Sequence, residues 1–170
     1  TPEEIQSISI QTVTDDVKKA KEYRSGAPIV SAQLMREEIF NSLCASGETE
    51  RFDMTFIPLT SSDASLSRTN GVYLPPIVFD SEENSVRAAL TRAAEHGVKY
   101  ALVGNIGQIG LAKGAGLIPI GDFRLNVTNS ESRLAYMNIG VERMLASVEL
   151  TLPKARDVAC GVVTYGRIPL

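Results

Sequence analysis

The chain has no tryptophan, a single histidine and only two cysteines among its 170 residues. Each scarcity closes off a class of chemistry. One imidazole cannot build a multi-histidine zinc centre. His96 falls beside Gly97 at the predicted end of a helix, where an imidazole complements the negative end of the helix dipole without any catalytic duty. A Ser-His-Asp triad or a Cys-His pair would have to use this one residue, so neither is expected. Cys44 and Cys160 lie far apart and neither belongs to a C-x-x-C pair, which excludes a disulfide framework or a four-thiolate site within this chain. Basic charge is short as well. Against 20 Asp+Glu there are 17 Lys+Arg, a net charge of -3, so no broad field is offered to nucleic acid or an anionic membrane. No apolar run approaches the roughly 18 residues of a spanning helix. No secretory leader is read at the start, and residue 1 is Thr rather than Met, so a piece of a longer protein is expected.

What is present suits one domain with a real core. Hydrophobic residues make up 44% and charged residues 22%, ordinary values for a globular chain. Residues 1–47 read as a helical segment. Thr14 followed by Asp15 and Asp16 forms an N-cap with acids at the positive end of the dipole, and Val17, Ala20 and Tyr23 recur at helical spacing before Gly26 and Pro28. A second helix is predicted from Ser31, with Leu34, Met35, Ile39 and Leu43 on one side.

Residues 48–170 read as a βα repeat. Met54, Phe56 and Ile57 predict a short strand ending at Pro58, and 60–70 is a polar loop by composition. Val72–Leu74 and Ile77–Phe79 flank Pro75-Pro76, which predicts an interrupted or edge strand. Asp80 and Glu83 make a capping-box pair ahead of the stripe Val86, Ala89, Leu90 and Ala93. The run Tyr100–Val103 is apolar throughout, as in a strand buried on both faces. A short helix over 106–113, a strand within 117–127, a helix capped near Thr128 with Glu131, a strand at Met144–Ala146, a helix from Thr151 to Val158 and a last strand at Val162–Tyr165 complete the reading. With Asn105, Asn126, Ser147 and Tyr165 as strand ends, the spacings are 21, 21 and 18 residues. Short helices that return the chain to the same edge demand parallel strands. Both a doubly wound open sheet and a closed (β/α)8 barrel use this unit. A full barrel needs about 250 residues, so this length would supply part of one.

In either architecture the working face lies at the carboxyl ends of the strands. Polar groups gather there in the sequence: Asn105, then Asp122, Arg124 and Asn126 on alternate positions, then Ser147 and Glu149, then Tyr165 and Arg167. Arg124 and Glu149 also fit a structural ion pair across adjacent strands, and Asn126 and Asn129 also fit turn and capping positions. Magnesium held by Asp122 and Glu149 is compatible with the residues, though nothing demands it. Gly104, Gly107 and Gly110 recur every third residue without a following Gly-Lys-Ser/Thr, so close helix packing explains them better than a phosphate loop. Asn126-Val127-Thr128 matches a glycosylation triplet but falls in a predicted buried strand end.

Three segments in register resemble one family. Gly121-Asp-Phe-Arg-Leu-Asn-Val-Thr-Asn-Ser130 is similar to the "GD-aromatic-x-LN-x-x-NS" segment of the collagenase-like peptidase family U-32, whose catalytic type is unassigned. Gly140 to Leu150 resembles its "LG-x-x-R-x-x-x-S-x-EL", and Tyr165 to Leu170 its "YGR-x-PL". Ser31 to Leu43 is similar to an "S-x-LN-x-LRREA" helix of longer members. The resemblance implies an α/β fold of the TIM-like (β/α)8 type, here partial, in a bacterial and mostly cytoplasmic protein. It implies a peptidase acting on protein or peptide, and Asn126, Asn129, Ser147, Glu149, Tyr165 and Arg167 match family-characteristic positions at the barrel mouth. Together with Arg124 and Asn105 from the strand ends, the expected site has Glu149 and Arg124 as catalytic groups and Asn105, Asn126, Asn129, Ser147, Tyr165 and Arg167 as substrate contacts. Several branches of the family are instead similar to oxygen-independent hydroxylation factors for RNA bases or quinone precursors that carry an iron–sulfur cluster. The family's signature cysteines follow "YGR-x-PL", where this sequence stops, so no cluster is expected in this stretch, although the parent would carry one in those branches. A noncatalytic binding or oligomerisation module is the remaining reading. An incomplete barrel also exposes strand edges, from which self-association is expected.

Overall fold

Residues 28–166 are described in a computed structural model; the helix expected near residues 14–26 lies outside them, as does Arg167. The described chain is α/β. Its six strands are β1 (Ser31–Gln33), β2 (Met54–Pro58), β3 (Gly71–Tyr73), β4 (Tyr100–Val103), β5 (Ile118–Gly121) and β6 (Arg143–Met144). They lie side by side in sequence order, and every neighbouring pair is parallel. Between and after them come helices α1 (Glu37–Ala45), α2 (Asp63–Leu66), α3 (Glu83–Glu95), α4 (Ile106–Gly114), α5 (Ser130–Asn138) and α6 (Leu152–Val158).

Strand order without any reversal means that each connection crosses on the same side, because parallel crossovers share one hand. All helices therefore cover one face, and the sheet curls away from them into a half-barrel. The two faces carry two separate apolar clusters. On the helix side, Ile57, Val72, Ala101 and Val103 of the strands pack with Phe40, Leu90, Ile109 and Ala112 of the helices. On the concave side, Met54, Phe56, Leu102 and Ile120 bury one another, with Tyr73 and Tyr100 against them. Two apolar faces explain why β2 and β4 read as near-continuous apolar runs rather than alternating ones. Tyr73, Leu102 and Ile120 lie in register on the concave side, and Arg143 continues the row onto β6.

Several sequence expectations are corrected. Ser31 opens β1 rather than a helix, pairing with Met54; α1 begins only at Glu37. β3 is interior, between β2 and β4, and stops at Tyr73 before Pro75-Pro76. Ending there keeps every ladder donor, since proline has no N–H to give. Ile77–Phe79 forms no strand, and Ile77 and Phe79 are exposed. Helix α3 is entered through Glu82, whose carboxylate accepts the Phe79 N–H at 3.1 Å, and not through an Asp80 cap. Of the capping residues the sequence offers there, Thr128, Asn129 and Ser130, it is Asn129 that caps α5. At the far edge only Gly161 bridges to Leu145, and Val162–Tyr165 is not a strand.

Candidate functional site

A tied polar group lies just beyond the carboxyl ends of β3, β4 and β5. Strand β5 stops at Gly121, and Asp122 caps a tight turn over Phe123–Leu125. Its Oδ1 accepts the Phe123 N–H at 2.8 Å, and its Oδ2 accepts from Arg124 Nη1. Asp122 is 2% exposed, so its charge is held almost out of water. Burial pushes the Asp122 carboxyl above its ordinary value, and the Arg124 hydrogen bond and charge oppose that without reversing it. The Arg124 guanidinium lies 4.8 Å from the centroid of the Phe123 ring, a cation–π distance.

The backbone beneath is shaped to receive this arginine. A Cβ on Gly104 would come within 3.3 Å of Arg124 Cδ and 3.4 Å of its Cβ, so a side chain there would press on the arginine. Gly104 is in turn fixed by Gln108, which is 1% exposed. Gln108 Oε1 accepts the Gly104 N–H at 2.8 Å, and its Nε2 donates to the Pro75 carbonyl at 2.6 Å, tying the ends of β3 and β4 together. Tyr73 completes the group. Its hydroxyl donates to the Met35 carbonyl at 3.3 Å; burial pushes the phenol up, and the charge of Arg124 pulls the other way.

The expected alternation of Asp122, Arg124 and Asn126 along a strand does not occur, because the strand has ended. Asn126 is exposed with φ 53, a left-handed turn position that asparagine tolerates better than most residues. Its glycosylation triplet has Asn126 and Thr128 exposed on either side of Val127, which is fully buried and bridges to Ala146. Asn105 and Asn129 are helix caps: Asn105 Oδ1 accepts the Gln108 N–H at 3.2 Å, and Asn129 Oδ1 accepts the Ser132 N–H at 2.8 Å. Arg124 pairs with Asp122, not with Glu149. Glu149 is exposed beyond β6, and its own N–H donates to Ser147 Oγ at 3.3 Å. Buried Ser147 and exposed Tyr165 do come together, in an open groove also lined by Val148, Leu150, Leu152 and Val163. Cys44 lies on α1 and Cys160 follows α6; both are free thiols, and burial pushes Cys160 up to about 11. No group of three or more His, Cys, Asp or Glu among the described residues is placed to hold a metal, and two separated thiols do not make a four-thiolate cradle.

Gln108 and Tyr73 carry no mark in the sequence as site residues. His96, which closes α3, has Nδ1 3.0 Å from Ser67 Oγ and Nε2 3.3 Å from Asp63 Oδ1.

The raised Asp122 carboxyl makes a prediction with a definite sign. An acid whose pKa rises on folding binds its proton more tightly in the folded chain, so its ionisation costs stability. That cost is absent below the ordinary carboxylate range, grows as pH rises through the folded-state value, and is constant above it. Asp122→Asn keeps an oxygen for the Phe123 N–H and removes the titration. The urea midpoint of the native protein should therefore fall, relative to Asp122→Asn, as pH is raised across that range. A difference that does not change with pH excludes the effect.

Compared with family models, curated proteins and solved structures, the chain matches none. No helix among the described residues is long and apolar enough to cross a membrane.

Proposed function

We propose that this chain forms part of a (β/α)8-type barrel peptidase, of the collagenase-like kind that its motifs resemble, and that the carboxyl ends of β3 to β5 carry its reaction. The observation that supports this reading is the Asp122–Arg124 pair, seated over Gly104 beside Tyr73. Six parallel strands in sequence order are the arrangement in which a barrel would place its catalytic groups at that end.

In this reading Arg124 polarises the scissile carbonyl and stabilises the oxyanion that forms on it. A carboxylate takes a proton from water, the water oxygen bonds to the carbonyl carbon, and the proton passes to the departing amine as the C–N bond breaks. Two carboxylates compete for that task. Glu149 is exposed, whereas Asp122 is buried against the arginine itself.

The test uses the longest natural protein that contains this sequence, incubated with gelatin while new amino groups are counted. Arg124→Met should lower the rate by about 10²-fold or more, the size of effect of losing one oxyanion donor. Whichever of Glu149→Gln and Asp122→Asn causes the comparable loss identifies the base. Unchanged release in Arg124→Met overturns the assignment. No release at all, together with broad absorbance near the iron–sulfur region, would move the protein to the cluster-dependent hydroxylation factors.

A further inference from the structure

We propose that the open groove past the end of β6 binds an extended peptide and seats one large apolar side chain of it. Resting on the peptidase reading, this names the class of substrate: a chain that carries a leucine- or phenylalanine-sized residue near the bond to be cut. The groove lies between the segment after β6 and Val162–Tyr165, with α6 contributing to its wall.

Three observations select this occupant. The walls are apolar and uncovered: Leu152 is 72% exposed and Tyr165 97%, with Val148 and Val163 exposed beside them. The hollow holds about 270 Å³, less than the roughly 300 Å³ at which pockets for whole small ligands begin, so it suits one side chain. Secondly, the backbone alongside is open. No N–H or C=O of Val162 to Tyr165 is hydrogen-bonded within the described residues, and such a backbone can pair with an added strand whose alternate side chains enter pockets. Thirdly, Ser147 stands in the lining and is only 5% exposed. Its Oγ accepts the Glu149 N–H at 3.3 Å, but no described residue accepts its own proton, which leaves one donor for a peptide carbonyl. A lipid or other hydrocarbon would use the walls alone and leave these polar groups unpaired.

The groove is also continuous with the end of the sheet that the peptidase reading uses. Ala146 in its lining bridges to Val127, just past the Asp122–Arg124 turn, and the Ser147 N–H donates to the Val127 carbonyl at 2.9 Å. Glu149 stands between Val148 and Leu150, both of which line the groove. A side chain anchored there fixes the course of the rest of the peptide, so binding energy gained away from the reacting bond serves to orient it.

The probes are two blocked peptides, acetyl-Gly-Leu-Gly-amide and acetyl-Gly-Ala-Gly-amide, titrated into the isotope-labelled full chain while its amide resonances are followed. We expect the leucine peptide to bind roughly tenfold more tightly, the worth of the extra carbons it buries, and the shifts to fall on Ser147–Leu150 and Val162–Tyr165. Leu152→Gln, a change at an exposed position, should weaken the leucine peptide several-fold and leave the circular dichroism unchanged. Equal binding of the two peptides overturns the proposal, and so do shifts confined to other parts of the chain. A dimer in sedimentation that Leu152→Gln dissolves would make a second copy the occupant and overturns it as well. Binding is read here without turnover, so the two readings fail separately. Selective binding, with gelatin release that Arg124→Met leaves unchanged, upholds the groove as a peptide site and overturns only the peptidase assignment. Arg124-dependent release without selective binding overturns only the groove.

Discussion

Gly71→Val is expected to destabilise the protein by about 3 kcal/mol or more, the upper range for forcing methyl groups into a packed interior. A Cβ at Gly71 would lie 2.6 Å and 2.8 Å from Phe56 Cδ1 and Cε1, and 2.9 Å from the Thr55 carbonyl oxygen. Neither neighbour is the loose end of a flexible chain. The ring belongs to the concave cluster, and the carbonyl belongs to β2 itself. In a chain of this size the loss corresponds to a fall of roughly 6–12 °C in Tm. Thermal or urea unfolding measures it. Because the two shortest approaches are to the Phe56 ring, Gly71→Val combined with Phe56→Ala should cost less than the sum of the two single changes, a coupling of about 1 kcal/mol or more, while the conflict with the Thr55 carbonyl remains. Strict additivity would show that the Phe56 ring does not lie across Gly71.

Phe40→Ala should cost about 3–5 kcal/mol, the usual range for emptying a buried aromatic site. Phe40 is the one buried residue of α1 and is fully enclosed, among the helix-side cluster. Nothing else on α1 is buried to replace it, so the loss falls on the docking of that helix over β1 and β2. Urea unfolding gives the magnitude, and faster amide exchange in Glu37–Ala45 gives the location. Ile39→Ala is the control. Its side chain is 38% exposed, and its removal should cost well under half as much. Equal costs for the two would deny that Phe40 anchors the helix.

The elements that were legible in the sequence are those whose own residues force them. Tyr100–Val103 is apolar on both faces, so β4 is readable without a partner. Helix α3 carries Val86, Leu90 and Ala93 at helical spacing and ends before Gly97, whose φ of 88 requires its glycine. The elements that were missed depend on neighbours. Ser31, Ala32 and Gln33 have no strand character of their own; they extend because Met54, Thr55 and Phe56 lie beside them. Val162 and Val163 have strong strand propensity, yet only Gly161 finds a bridge, since there is little ladder left to join.

The candidate site divides in the same way. That polar residues gather at the strand ends was readable from spacing. That Asp122 would turn back onto Phe123 and Arg124, and so end the alternation, was not, because the cap competes locally with the strand. Gln108 gives no sequence signal, as a helix position looks the same whether its amide meets water or the Gly104 N–H. Ser67 and His96 are 29 residues apart, and only the crossover between β3 and β4 brings them together.

The strand order carries a consequence for how the chain is made. Every strand lies next to the one synthesised just before it, so no segment must wait for a distant stretch of polypeptide in order to pair. The entropy of closing each such loop grows only slowly with its length, so pairing with the preceding strand costs less than pairing across the whole chain. Each βα unit can therefore settle on its predecessor as it leaves the ribosome, and the curled sheet can grow vectorially, its trailing edge always ready for the next unit.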